Sequence, residues 1–257
     1  MESMKELFKF SFMTVVHQKL VFIVMLLLGI VPFIAAQMTN ADVEPELMSA
    51  ARSQALWQIC WLVQMLWLLY QSASLVGGHV QSGMAAYFKS RGLSASSQVA
   101  VMWGVVMLFA LVFTVWTTLA TIVFAMPEGE LVAKHWVLLS VQQMVLMLLV
   151  VSAWVMLTVA ISSRFGVVVG YLASLALVLS GFYGVVMVGK VALLQDSPLL
   201  DMLYIITPHY YLADLTHRFI HGQGAMPISG FLSVFEYLAG WLLVTAAVAV
   251  PLSNVKK

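Results

Sequence analysis

Apolar residues are concentrated in six long runs, and short polar segments separate these runs. A helix needs about 20 predominantly apolar residues to cross the hydrocarbon core of a bilayer, so we expect each run to span a membrane. The predicted spans are residues 20–37, 56–76, 99–125, 136–161, 166–189 and 231–252.

The first 19 residues, which precede these spans, have a different pattern. Glu2, Lys5, Glu6 and Lys9 lie on one narrow arc of a helical wheel, and most of the remaining arc is apolar. This distribution is typical of an amphipathic helix that lies in the membrane interface. The alternative is that residues 1–19 are only the extended start of the first span.

A polar interruption at residues 77–97, with the sequence GGHVQSGMAAYFKSRGLSASS, separates the second and third spans. If it forms one helix, Val80, Met84 and Tyr87 share an apolar face, with Gly83 beside them. Such a helix could dock in a groove of a soluble partner, or it could lie among the lipid headgroups. The pattern alone leaves both interpretations open.

Two further polar segments have distinct patterns. Residues 39–52 are charged and turn-prone around Pro45, so we expect an aqueous loop there. Residues 190–230 contain apolar runs punctuated by prolines, which predicts one or two short helices on the membrane surface before the sixth span. The predicted fold is an all-α membrane protein with a single transmembrane domain over residues 1–257.

Composition and charge support this fold and indicate its orientation. Hydrophobic residues make up 62% of the chain and charged residues 9%, and the net charge of +1 gives no indication of nucleic-acid binding. Basic residues favour the cytoplasmic side of a membrane. One set of loops carries eight lysines and arginines and the other carries four, which predicts that both termini and residues 77–97 are cytoplasmic.

Several spans contain polar side chains. Gln64 and Gln71 are seven residues apart and share a helix face, so we expect this face to look inward or toward a wetted cavity. Four threonines recur along one side of the third span, where they either bond back to their own helix or line a substrate path. They are Thr114, Thr117, Thr118 and Thr121.

Glu236, near the start of the sixth span, is either interfacial or an acid inside the membrane.

Small residues recur every four positions in the fifth span. Gly166, Gly170 and Ser174 have the spacing that allows two helix backbones to approach closely. The sequence does not indicate whether the partner helix belongs to this chain or to a second copy.

Sequence motifs give no indication of catalytic chemistry. The chain has no HExxH zinc motif and no G-x-x-x-x-G-K-[ST] phosphate loop, so any ATPase that drives transport has to be another chain. His217 and His221 are four residues apart and could share a metal, but a surface helix with two histidines is the commoner arrangement. We therefore predict that the chain is not an enzyme and holds no catalytic, cofactor-binding or metal-binding residue.

The segment HVQSGMAAYFKSRGLS, residues 79–94, resembles the coupling-helix region of ABC-2 permeases, the integral membrane subunits of one class of ABC transporters. Gly83 and the Leu-Ser pair at 93–94 match the family pattern. His79 stands where an acid is usual, Met84 where threonine is usual and Gly92 where proline is usual. The TPHYY sequence at 207–211 is similar to a segment that precedes the last span in this family.

This resemblance implies a fold with an N-terminal elbow helix at about residues 1–19, six spans and a cytoplasmic coupling helix. It implies a permease that pairs with a second copy, as a homodimer or a heterodimer, in a prokaryotic inner membrane. A separate cytoplasmic ATPase would bind ATP and Mg²⁺ and drive translocation, with export as the expected direction. The residues that would contact the ATPase are Val80, Gly83, Met84, Tyr87, Phe88, Lys89 and Arg91.

The same resemblance gives roles to two other groups of residues. Gly166, Gly170 and Ser174 become candidates for packing between the two copies. Gln64 and Gln71 become candidates for the translocation path. The alternative function is a membrane anchor or assembly factor that binds a cytoplasmic partner through residues 77–97 and transports nothing.

Overall fold

The computed structural model describes residues 2–18, 22–24, 26–27, 29–30, 34, 45–195 and 197–254. Within these ranges the chain is largely helical and contains no β-strand. The helices are α1 (Glu2–Val16), α2 (Pro45–Val63), α3 (Leu69–Gln81), α4 (Met84–Ser90), α5 (Ala95–Phe124), α6 (Glu130–Phe165), α7 (Val167–Leu179), α8 (Val185–Leu194), α9 (Pro198–Ile206), α10 (Thr216–Ile220) and α11 (Ile228–Asn254).

Among the described residues, five helical stretches are long and apolar enough to cross a membrane, which makes this a multi-pass helical membrane protein. They are Met48–Gln81, Ala95–Phe124, Val132–Phe165, Val167–Leu194 and Ile228–Ser253, and they correspond to predicted spans two to six. The predicted first span, residues 20–37, lies largely outside the described residues. The positions within it that the structure describes are helical.

The second span begins earlier than its apolar run predicts. Residues 45–52 belong to α2, so the expected aqueous loop is wrong for this part of the chain. Proline is well tolerated in the first turn of a helix, where its missing N–H is not needed, and Pro45 is the first residue of α2. Arg52 in this extension donates a hydrogen bond, at 3.5 Å, to the carbonyl of Phe124 at the end of α5.

Two spans continue through a π-helical turn. Gln64–Leu68 joins α2 to α3, and Ser180–Gly184 joins α7 to α8. A π turn inserts an extra residue into the helix, changes the direction of the side chains around it and often occurs at functional sites. The apolar pattern did not predict these turns, because an apolar π turn and an apolar α turn have similar compositions.

A cluster of buried aromatic rings joins three parts of the chain. The ring of Trp61 in α2 lies 5.6 Å from that of Trp154 in α6 and 5.0 Å from that of Phe182, between ring centroids. Trp154 also contacts Tyr210, at 5.7 Å, in the segment between α9 and α10. Edge-to-face and tilted contacts of this kind stabilise aromatic pairs beyond the area that they bury.

Two neighbouring amides of α6 hold the polar segment between α8 and α11 against the bundle. Gln142 donates to the carbonyl of Met226, at 2.8 Å, and accepts a bond from its N–H, at 2.7 Å. Gln143 accepts a bond from the N–H of Leu215, which precedes α10. The segment therefore packs onto the spans through backbone hydrogen bonds as well as through Tyr210.

Candidate functional site

The polar segment between the second and third spans forms a short, separate helix. Helix α3 ends at Gln81, and Gly83 follows with a φ of 77°, a left-handed conformation that favours glycine. Helix α4 then runs over Met84–Ser90. The prediction of one continuous helix with Val80, Met84 and Tyr87 on a single face is therefore wrong, because the turn at Gly83 separates Val80 from the other two.

Phe88 anchors α4 to the rest of the chain. Its side chain is only 2% exposed and forms a buried apolar cluster with Leu7 of α1 and with Leu93. Its ring also stacks on the imidazole of His79, the centroids lying 5.8 Å apart. One residue of α4 thus contacts both the amphipathic N-terminal helix and the last turn of α3.

Gln98, in the first turn of α5, also holds α4 in position, through hydrogen bonds. Its amide nitrogen donates to the carbonyls of Ala85, at 3.2 Å, and Leu93, at 3.1 Å. Its amide oxygen lies 2.8 Å from Nε2 of His79 and accepts the hydrogen that this nitrogen carries in the matching tautomer. The amide of Gln98 therefore connects α3, α4 and the start of α5.

The opposite side of α4 is exposed and carries aromatic and positive groups. Tyr87 is 44% exposed, and Lys89 and Arg91 are exposed beside it. The guanidinium of Arg91 lies 5.0 Å from the centre of the Tyr87 ring and 3.3 Å from a carboxylate oxygen of Glu6 in α1. A partner that binds this surface would meet a cation packed on an aromatic ring, a pairing that strengthens when water is excluded.

Five of the seven predicted coupling residues divide into two groups. Phe88 faces the chain itself and holds the helix, and Met84 is half-buried against the same cluster. Tyr87, Lys89 and Arg91 face outward. Gly83 sets the turn between the helices.

Gln64 and Gln71 are both buried inside this chain, at 0% and 1% exposure. The amide nitrogen of Gln64 donates to the hydroxyl of Thr114 in α5 at 3.0 Å. Neither amide atom of Gln71 has a hydrogen-bond partner within the described part of the chain. The inward orientation that the spacing predicts is confirmed, and the role of these amides in a substrate path remains a prediction.

The small-residue spacing in the fifth span corresponds to close packing within the chain. A Cβ atom at Gly170 would lie 1.8 Å from the hydroxyl oxygen of Ser162, at the end of α6. Ser174 is 1% exposed, and Gly166 occupies the turn between α6 and α7. The assignment of Gly170 and Ser174 to packing between two copies is corrected, because both residues are buried against their own chain.

The threonines of the third span bond back to their own helix. Each hydroxyl donates to the carbonyl four residues earlier, at 2.6–2.9 Å. This confirms the first of the two alternatives for these residues. The four are Thr114, Thr117, Thr118 and Thr121.

A second polar network lies between the fifth and sixth spans. The hydroxyl of Tyr237 in α11 accepts the N–H of His209, at 3.0 Å, and lies 2.7 Å from its Nδ1 atom. Burial lowers the pKa of His209 from its ordinary value of 6.5 and raises the pKa of Tyr210. The neutral form of the imidazole is therefore favoured here.

Several of these contacts were not predicted from the sequence. The sequence pattern predicts no site at Gln98 and no role for Gln142 or Gln143. A polar amide one turn after the Leu-Ser turn at 93–94 was the signal available for Gln98. Its partners lie in three different segments, which a pattern along one helix does not reveal.

Comparison of this chain with protein-family models, with curated proteins and with solved structures found no match.

Proposed function

We propose that this chain is the permease subunit of an ABC-2 type transporter, which couples ATP hydrolysis by a separate cytoplasmic ATPase to export of a substrate. In this proposal residues 20–37 complete a set of six spans. Both termini and α4 are in the cytoplasm, and the membrane is the inner membrane of a prokaryotic cell. The observation that carries the proposal is the fixed position of α4 at the junction of two spans.

A coupling helix has to transmit movement from a soluble partner to the spans. Helix α4 suits this task because Phe88 and the Gln98 amide tie it to its neighbours on three sides. A force on α4 would act directly on the end of α3 and on the start of α5. Helix α1 would move with them, since Leu7 shares the Phe88 cluster and Glu6 pairs with Arg91.

The outward side of α4 indicates the chemistry of the partner. Tyr87 offers an aromatic ring, and Lys89 and Arg91 offer positive charge. A cleft with an apolar floor and acidic residues at its edge would complement this surface. ATP and Mg²⁺ would be bound by that partner.

Pairing with a second copy is part of the proposal. Helices α7 and α11 carry large apolar side chains, including Val168, Leu172 and Leu243, that are exposed in the described part of the chain. These surfaces are available to lipid or to another permease, which could be identical or related. They replace Gly170 and Ser174 as candidates for the contact between copies.

The test is co-purification with a cytoplasmic ABC ATPase from the same cell, followed by measurement of ATPase stimulation. Tyr87→Glu places a charge and a smaller side chain in the docking surface, and we expect it to abolish both the complex and the stimulation. Phe165→Glu is the matched control, because Phe165 is a 54% exposed aromatic residue at the same end of the bundle. We expect this control to leave the complex intact.

Two outcomes would count against the proposal in different ways. If the complex and the stimulation survive Tyr87→Glu, the assignment of α4 as the coupling helix is wrong. If the complex forms through α4 but reconstituted vesicles transport nothing across a broad substrate panel, the membrane-anchor function is the better description.

A further inference from the structure

An open cleft of about 470 Å³ lies on the surface of the chain, away from α4. One wall comes from α2 and the other from the π turn Ser180–Gly184, and the segment leading into α10 closes the third side. Both π turns contribute to the cleft, the first through Met65 and the second through Tyr183. Because π turns often occur where side chains are redirected toward a ligand, their meeting at one cavity suggests a binding site.

The inner wall of the cleft is aromatic and rigid. Trp61 lines it and is held in place by its contacts with Trp154 and Phe182. The indole nitrogen of Trp61 has no hydrogen-bond partner within the described ranges. On the other wall Tyr183 is 62% exposed. Such a wall accepts the apolar body of a small molecule, and aromatic rings attract cations to their faces.

The cleft also carries a carboxylate, Asp214, that forms no ion pair with any described residue. One carboxylate oxygen of Asp214 accepts the N–H of Thr216, at 3.1 Å, which fixes the orientation of the carboxylate. No lysine or arginine of the described segments lies within ion-pair distance of it, and His217, which also lines the cleft, places its Nδ1 atom 3.2 Å from the backbone carbonyl of Asp214. The neighbouring cavity of about 460 Å³ differs, because both Lys190 and Asp201 line it. The cleft with Asp214 has no lysine or arginine in its lining, and His217 is its one basic side chain.

We propose that this cleft binds an amphipathic organic cation, with an aromatic or branched apolar body and one positive charge. The apolar body packs between Trp61 and Tyr183, and the charge lies near Asp214. The volume is in the range of pockets that hold drug-sized ligands, roughly 300–1,000 Å³. This inference rests on the cleft alone and does not require the transport function proposed above.

The experiment measures binding of radiolabelled tetraphenylphosphonium to the full-length protein in nanodiscs, without any ATPase. We expect saturable binding that Asp214→Asn weakens at least tenfold. This variant keeps the oxygen that accepts the Thr216 N–H, so the segment should fold as before. Glu236→Gln removes the same charge from an exposed position outside the cleft and should leave the affinity unchanged.

Tetraphenylborate is the second control, because it has the same shape and the opposite charge. We expect nanodiscs with and without the protein to take up equal amounts of tetraphenylborate, because its uptake is only partition into the lipid. Tyr183→Ala, at an exposed position, tests the aromatic wall without depending on Asp214 and should weaken tetraphenylphosphonium binding several-fold.

Three results would overturn the proposal. The first is absence of saturable tetraphenylphosphonium binding. The second is the same affinity for this cation in the original protein and in Asp214→Asn. The third is binding of tetraphenylborate as tight as that of tetraphenylphosphonium. Because no ATPase is present, these outcomes are independent of the permease assignment. Saturable binding together with failed ATPase docking would retain the site and remove the transport proposal.

Discussion

The amide oxygen of Gln98 lies 2.8 Å from Nε2 of His79, and this contact joins the first turn of α5 to the last turn of α3. The two residues are 4% exposed, so the hydrogen bond is shielded from solvent. The amide nitrogen of Gln98 donates to two carbonyls around α4. A single side chain therefore fixes the position of a helix that lies between two spans.

Replacing Gln98 by leucine should release α4 while leaving the spans folded. The change takes a donor from the carbonyls of Ala85 and Leu93 and removes the partner of Nε2 of His79. A buried polar group left unpaired costs about 1–3 kcal/mol. We expect hydrogen exchange of the α4 amides, residues 84–90, to accelerate about tenfold or more, since 1.4 kcal/mol corresponds to a factor of ten. Exchange in the middle of α5 should not change.

Gln81→Leu is the control for this experiment, because Gln81 is exposed at the end of α3. It should leave exchange in α4 at the original rate. If Gln98→Leu and Gln81→Leu give the same exchange profile, the amide of Gln98 does not hold α4.

The positions of the spans could be predicted because a run of 20 apolar residues is a local property of the sequence. The bounds of α4 could not be predicted in this way. They depend on the left-handed conformation of Gly83 and on the bonds from Gln98, whose partners lie in other helices. The wheel that placed Val80 with Met84 and Tyr87 assumed an unbroken helix, and one glycine turn removes that assumption.

The partners of polar residues inside the spans could not be predicted from the sequence either. The spacing of Gln64 and Gln71 predicts a shared inward face, but it cannot distinguish the amide that finds Thr114 from the one that finds no partner. Likewise, Gln142 and Gln143 bind backbone groups far along the chain, between α9 and α11. Such contacts depend on tertiary packing, which no helical period encodes.

Gly181→Ala should destabilise the contact between the fifth span and the segment that carries Tyr210. A Cβ atom at this position would lie 2.4 Å from a ring carbon of Tyr210 and 2.8 Å from the carbonyl oxygen of Pro208. Tyr210 is buried against Trp154, so it cannot simply move aside. Overpacking of this kind costs about 1–3 kcal/mol, and we expect a lower thermal midpoint in detergent.

Gly240→Ala provides the matched comparison. Gly240 lies inside α11, and a Cβ atom there would contact nothing within 4 Å. Alanine in a helix interior is favoured over glycine by roughly 0.5–1 kcal/mol, so this variant should be as stable as the original protein or more so. A drop in midpoint of similar size for both variants would contradict the packing argument.

Acidification should loosen the segment around His209. Burial lowers the pKa of this imidazole below 6.5, so the folded state binds fewer protons than the unfolded state between the two pKa values. The segment keeps its full stability at pH values above 6.5. This stability decreases as the pH falls from 6.5 toward the pKa that His209 has in the folded state. We expect intrinsic-rate-corrected hydrogen exchange of residues 207–215 to increase between about pH 7.5 and about pH 5.

His209→Asn should remove most of this pH dependence, because asparagine does not titrate in the range. His221→Gln, at an exposed position after α10, should leave it in place. Equal pH dependence in all three proteins would show that another group controls the loosening.

Gln71→Leu should stabilise the protein, and by more than Gln64→Leu does. Gln71 is buried with both amide atoms unpaired, and removing a buried, unpaired polar group is worth about 1–3 kcal/mol. Gln64 also has a buried, unpaired amide oxygen, but its amide nitrogen donates to Thr114. Loss of that bond costs about 0.5–1.5 kcal/mol and offsets part of the gain in Gln64→Leu. Thermal midpoints of the two variants in the same detergent measure the difference, and a lower midpoint for Gln71→Leu would show that its amide has a partner.

The same pair of variants tests the predicted translocation path. A polar group kept in a buried position at a cost in stability is expected where function requires it. If Gln71 contributes to the path, Gln71→Leu should raise the thermal midpoint and lower ATP-driven transport in reconstituted vesicles. A more stable variant with unchanged transport would remove Gln71 from the path, and it would leave the unpaired amide without a functional explanation.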